Sequence, residues 1–151
     1  MSFQLVDRIL GNLADVTLGD RVVERVAIDS DAMARRVVRL ATSVGDLGLR
    51  LPADERLRDG DVIFADAARV IAVEVVPDDV LVVRPRTVQE ALAVAHALGN
   101  RHVPVLIEAD TLIVRYVPAL DALIRELDVP VERRRLAPAV PFRHAVAPHA
   151  H

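Results

Sequence analysis

The side chains that could do chemistry in this sequence are few, and the histidines stand out first. There are five in 151 residues, His96, His102, His144, His149 and His151, and there is no cysteine. Thiolate nucleophiles, disulfides and sulfur-ligated metal sites are therefore excluded, and any metal must be held by nitrogen and oxygen. Neutral imidazole is a good ligand for nickel, copper and zinc, so a histidine-based site for a divalent transition metal is the chemistry to look for.

The histidines are unevenly placed. Three fall in the last eight residues, "HAVAPHAH", where His149 and His151 stand two apart, a spacing that puts both on one side of an extended chain. His102 follows the helix-like run "ALAVAHALG" and precedes Pro104. On spacing alone it reads as a strand-end histidine hydrogen-bonded to backbone and makes a weak metal site by itself, but in a two-fold dimer packed about this point each copy would bring one imidazole to the shared axis. His96 sits inside that alanine-rich run and reads as a packed or interface histidine rather than a metal ligand. Asn100 and Arg101, between helix and His102, could take an anion or simply cap the helix.

Competing chemistries lack their residues. The sequence holds no G-x-G-x-x-G, no G-x-x-x-x-G-K-[ST], no H-E-x-x-H and no G-x-S-x-G. An acyl-phosphate hydrolase using Arg101 and Asn100 for the anion and His102 as base would need a positioned nucleophile, and none is evident. Net charge is −3 with no lysine among the 19 basic residues, and only four residues are aromatic, so there is neither a basic field nor a stacking surface for nucleic acid. No run of 18 uncharged apolar residues offers a membrane span, and the first residues carry no signal-like apolar core. The expectation is a cytoplasmic protein.

The elements that must position these residues fall into two halves. Residues 1–76 read as short strands joined by turns: "VVRLATSV" and "LGLRL" flank Gly45-Asp46 as a hairpin, Asp59-Gly60-Asp61 marks a second turn, and "RVIAVEVV" alternates like a strand. "DSDAMARR" at 29–36 begins a short helix capped by Asp29 or Ser30. This half is expected to be a small β-domain, a sandwich or partial barrel.

After "VPDD" at 76–79 the pattern changes. "VLVVRP" reads as a buried strand; "TVQE" at 87–90 is a capping box for a helix that Gly99 would terminate in a left-handed conformation. "HVPVLI" and "TLIVRY" make a hairpin around "EAD", Pro118 opens a second helix with Leu120, Leu123, Ile124 and Leu127 on one stripe, and "VPVERRRL" closes as a strand. Strand, helix, strand, strand, helix, strand is the ferredoxin-like βαββαβ order, so the fold class is α+β. The domains are set at 1–76 and 77–136, with 137–151 a mobile histidine-bearing tail.

Gly99-Asn100-Arg101-His102, an apolar residue and then Pro104, directly after an Ala-rich helix, resembles the signature of the UreE family of urease nickel metallochaperones. "DGDVIF" followed by "RVIAVEVV", "VLVVRPRTVQEALAVAHALGNRH" and the tail histidines extend the likeness over essentially the whole chain. The resemblance implies a non-enzymatic carrier with an N-terminal domain similar to peptide-binding modules and a C-terminal ferredoxin-like domain that forms a homodimer. It implies Ni(II) bound by His102 of both copies, with His144, His149, His151 and His96 as further candidate ligands, and Zn(II) or Cu(II) as competitors in vitro. The implied partners are urease apoprotein, the accessory GTPase UreG and the UreD/UreF assembly. Many relatives carry an Asp-His pair where this chain has Val117-Pro118, so no auxiliary site is expected on that helix. The alternative is a peptide-binding assembly module for urease maturation with incidental metal binding.

Overall fold

The computed structural model describes residues 3–142; Met1, Ser2 and 143–151 lie outside the described residues. The chain divides between Val76 and Pro77 into two compact units, each of which is described by itself.

The N-terminal unit runs β1 (Phe3–Val6), β2 (Gly11–Asn12), β3 (Val22–Ile28), α1 (Ser30–Ala34), β4 (Val37–Thr42), β5 (Gly45–Arg50), β6 (Asp61–Ala65) and β7 (Arg69–Val75). Two sheets form, ordered β1-β5-β4 and β2-β6-β7-β3. Alternation along β7 explains how they pack. Ile71, Val73 and Val75 point into a cluster shared with Leu47 and Leu49 of the other sheet and with Met33 of α1, while Val70 and Ala72 join a smaller cluster with Val62 on the opposite face. The unit is thus a two-sheet β-domain.

Its turns are wired by side chains. At Asp59-Gly60-Asp61, Gly60 takes φ 81° with Asn12 packed against it, and the Asp61 carboxylate accepts from Arg58 N (2.7 Å) and Asn12 Nδ2 (3.0 Å). Asp59 Oδ1 accepts from Val75 N at 2.8 Å, tying the turn to β7. Asp29 caps α1 through Ala32 N at 2.6 Å. The first hairpin differs from expectation: its turn is Ser43-Val44, and Gly45 already pairs with Thr42 as the first residue of β5. The Thr42 hydroxyl, donating to Gly45 O at 2.7 Å, closes that loop two residues earlier than the Gly-Asp signal suggests.

The C-terminal unit runs β8 (Asp78–Val83), α2 (Val88–Asn100), β9 (Leu106–Glu108), β10 (Thr111–Arg115), α3 (Pro118–Glu126) and β11 (Val131–Leu136). Its sheet is antiparallel throughout, ordered β11-β8-β10-β9. One face, Leu81, Val83, Leu112 and Val114, packs on Val94 and Leu98 of α2 and Leu120 and Ile124 of α3. Burying each such side chain contributes about 2 kcal/mol before entropy is counted. The other face, Val80, Val82 and Ile113, is covered by Phe142, and Pro138 and Pro141 are buried as well. Of residues 137–142, expected to be mobile, Pro138, Pro141 and Phe142 are buried while Ala137, Ala139 and Val140 are exposed, because β8 and β10 are apolar on both faces and Phe142 covers part of the side the helices leave open.

Candidate metal centre

The element that presents His102 is α2. Thr87 caps its N-terminus, accepting from Glu90 N at 3.1 Å. The capping box is completed one residue upstream: the Glu90 carboxylate accepts from Arg86 N (2.7 Å) and pairs with the Arg86 guanidinium (2.7 Å). Those hydrogen bonds from the Arg86 side chain and backbone hold the Glu90 carboxyl below the usual carboxylate range.

The helix does not end where the glycine signal placed it. Gly99 is helical, and the left-handed residue is His102, at φ 53°. His102 N donates to Gly99 O at 3.0 Å and Val103 N to Leu98 O at 3.1 Å, the paired bonds of a Schellman motif with His102 in the position glycine usually takes. Leu98 is fully buried and Val103 packs against the same cluster, which supplies the motif's apolar contact. Histidine, like Asn and Asp, tolerates this conformation better than most residues, and α3 ends the same way at Asp128, φ 54°. His102 accordingly lies in a turn four residues before β9 and does not open that strand, since the turn occupies 101–103 and Pro104 has no N–H for a ladder.

His102 is exposed. Beside it lies a cavity of about 330 Å³ lined by Arg101, His102 and Arg115, with Val103, Pro104, Val117 and Leu120 as its apolar wall. Arg101 Nη1 donates to Ala97 O at 3.2 Å, placing a cation at the negative end of the helix. Arg115 stands 5.0 Å from the centroid of the Phe142 ring. The described chain therefore leads to the rim of the cavity that holds His102.

His96 is exposed on α2, away from the buried positions Val94 and Leu98, so within one chain it is not packed, and the interface reading of the apolar run stands beside the ligand reading. His144, His149 and His151 lie outside the described residues. Among the described residues no group of three or more His, Cys, Asp or Glu side chains converges to hold a metal ion. Missed by the sequence reading were the left-handed backbone of His102, the contact of Arg115 with the Phe142 ring and the burial of Phe142. Only Phe142 left a signal, as a large aromatic in an otherwise small, proline-rich segment.

Two family descriptions cover almost the whole chain: the UreE urease accessory protein N-terminal domain matches residues 6–76 and the UreE C-terminal domain matches 78–151. The chain belongs to the UreE family. The UreE of Corynebacterium efficiens, named urease accessory protein UreE, is 38% identical over 148 residues, covering 96% of this chain and 99% of that protein. Those of Bacillus sp. strain TB-90 and Staphylococcus aureus, with the same name, are 36% and 34% identical, covering 92% and 93% of this chain and 95% of each relative. UreE proteins are accessory proteins, not enzymes.

Proposed function

We propose that the chain is a urease accessory metallochaperone that binds Ni(II) through His102 of two copies, with help from the histidines of the tail, and delivers it for assembly of the urease active site. In this reading residues 77–136 are a ferredoxin-like metal-binding domain, which the β11-β8-β10-β9 sheet order supports, and residues 137–151 supply further ligands. The observation that carries it is the placement of His102: an exposed imidazole on the helix-end turn after α2, fixed by the backbone bonds of His102 N to Gly99 O and Val103 N to Leu98 O. A two-fold mate is the simplest source of a second imidazole beside His102. Completion by tail ligands suits a carrier, because ligands that leave one at a time let an acceptor take over the ion.

The homodimer, the cytoplasmic location and work beside urease apoprotein, UreG and the UreD/UreF assembly belong to the same reading, as do tail ligation by His144, His149 or His151 and an accessory role for His96. Nickel rests on family membership, since imidazole alone does not prefer it over Cu(II) or Zn(II). Equilibrium dialysis with Ni(II) tests the proposal on the full chain, His102→Ala and a chain ending at Phe142. His102→Ala should lose the tightest site and the shortened chain should bind fewer ions while remaining dimeric.

One observation favours a second role for the N-terminal unit. β1 and β4 are sheet edges, and Phe3 (62%), Leu5 (60%) and Val37 (67%) are exposed on them. Such edges accept a partner segment by strand addition. Capture of urease or accessory proteins that persists in chelator and is lost on removing residues 1–76 would assign partner binding to that unit.

A further inference from the structure

The two edges of the β1-β5-β4 sheet differ in charge. β1 carries no charged residue, and its Phe3 ring lies over Gly48, where it leaves no room for a Cβ. β4 ends the sheet on the other side, so the main-chain groups along its outer edge have no strand partner. Its side chains alternate: Val38 and Leu40 are buried, while Val37, Arg39 and Ala41 form an exposed outer row. Arg50 of β5 stands directly opposite Val37 on that outer face, and Arg35 and Arg36 lead into the strand. Arg39 is engaged by Asp46. Arg35, Arg36 and Arg50 are exposed and make no ion pair with any described residue. Cations collect at this edge although the chain as a whole carries a net charge of −3.

We propose that the β4 edge takes an extended acidic segment of a partner protein, added as a further strand, with its carboxylates at the Arg36–Arg50 end and apolar side chains beside Val37 and Ala41. The inference rests on the partner-binding role given above to the N-terminal unit, and it names the edge and the chemistry of the segment. An added strand satisfies the open main-chain groups of β4 through a ladder, which gives affinity, and its side chains meet the outer row as cross-strand pairs, which gives selectivity. Guanidinium groups make charge-assisted hydrogen bonds to carboxylates, so glutamate or aspartate is preferred at the end where Arg36 and Arg50 stand. The same charges work against the commonest wrong partner: a second copy of β4 would bring arginine against arginine. A polyanion without peptide groups could meet the arginines but not the edge. The alternation of Val37, Arg39 and Ala41 on one face therefore points to a peptide.

Backbone amide signals of the metal-free full chain, followed by NMR during titration at constant ionic strength, test both parts. The probes are the acetylated, amidated peptide Glu-Glu-Val-Thr-Val-Thr-Val, the same peptide with Gln for Glu, the Glu peptide N-methylated at every second residue in either register, and inorganic polyphosphate. Saturable shifts and slowed amide exchange along Val37 to Ala41 are expected with the Glu peptide. The Gln peptide should bind about fivefold more weakly, the sum of two exposed ion pairs, and Arg36→Gln/Arg50→Gln should lose the same factor toward the Glu peptide. N-methylation in the register that faces β4 should abolish the response. Equal affinity for the Glu and Gln peptides would overturn the acidic class and leave strand addition standing. Shifts along β1 in place of β4, or an equal response to polyphosphate or to both N-methylated peptides, would overturn the β4 edge as a strand acceptor. No response of β4 to any peptide would overturn strand addition itself, whereas capture of partner proteins that is lost with residues 1–76 would still assign partner binding to that unit by another surface.

Discussion

Replacing His102 by glycine should make the protein more stable while removing its metal ligand. The left-handed conformation at φ 53° costs a residue with a Cβ roughly 1–2 kcal/mol, and glycine escapes that penalty. Glycine gives back roughly 0.5–1 kcal/mol through its greater freedom in the unfolded chain, leaving a gain of about 0.5–1 kcal/mol. His102→Ala keeps the Cβ and gains nothing. The two variants remove the same imidazole yet should part in stability, by roughly 4 °C in melting temperature for a unit of this size. Urea and thermal unfolding of both, metal-free and at one protein concentration, measure the gap. An alanine variant as stable as the glycine variant would refute the helix-end geometry.

Other outcomes follow from the same contacts. Gly99 is inside α2 with nothing within 4 Å of where a Cβ would stand, so Gly99→Ala should raise stability by about 0.5–1 kcal/mol, measured by urea unfolding. Phe142→Ala uncovers Val80, Val82 and Ile113 and should cost about 3 kcal/mol by the same assay, whereas a mobile Phe142 would cost nothing. Thr87→Ala removes the cap on Glu90 N and should cost about 1 kcal/mol. Asp66, held low by backbone hydrogen bonds from Ala68 and Arg69, Asp79, by the side-chain hydrogen bond from Arg133, and Glu90, by that from Arg86, are all shifted below the ordinary carboxylate value. Their stabilisation is fully present above that value and is lost as pH falls through the lowered ones, so the urea midpoint should drop in the acid range and Glu90→Gln should flatten part of the drop.

Much of the architecture was legible because it rests on local signals. The two-residue alternation of "RVIAVEVV" and the Thr87–Glu90 spacing are short-range patterns that tertiary packing reinforced. Gly99 misled because glycine permits a left-handed turn without requiring one. The register of Leu98 and Val103 against the core decided the turn and moved it to His102. The contacts of Phe142 and Arg115 were not legible, although the size of Phe142 hinted at burial: their partners lie far away in sequence, on the open sheet face and at the end of β10, and no periodicity encodes such contacts. His102 itself was legible as a candidate from residue type and motif, but its exposed left-handed turn was not.

In the proposed carrier, two copies of His102 share one nickel ion. Calorimetric titration of Ni(II) into the full chain, with sedimentation in parallel, tests it against His102→Gly, the variant expected to fold at least as well. A tight phase of one ion per two chains is expected in wild type, and its disappearance in a still-dimeric His102→Gly. A tight phase that survives the substitution unchanged would contradict it.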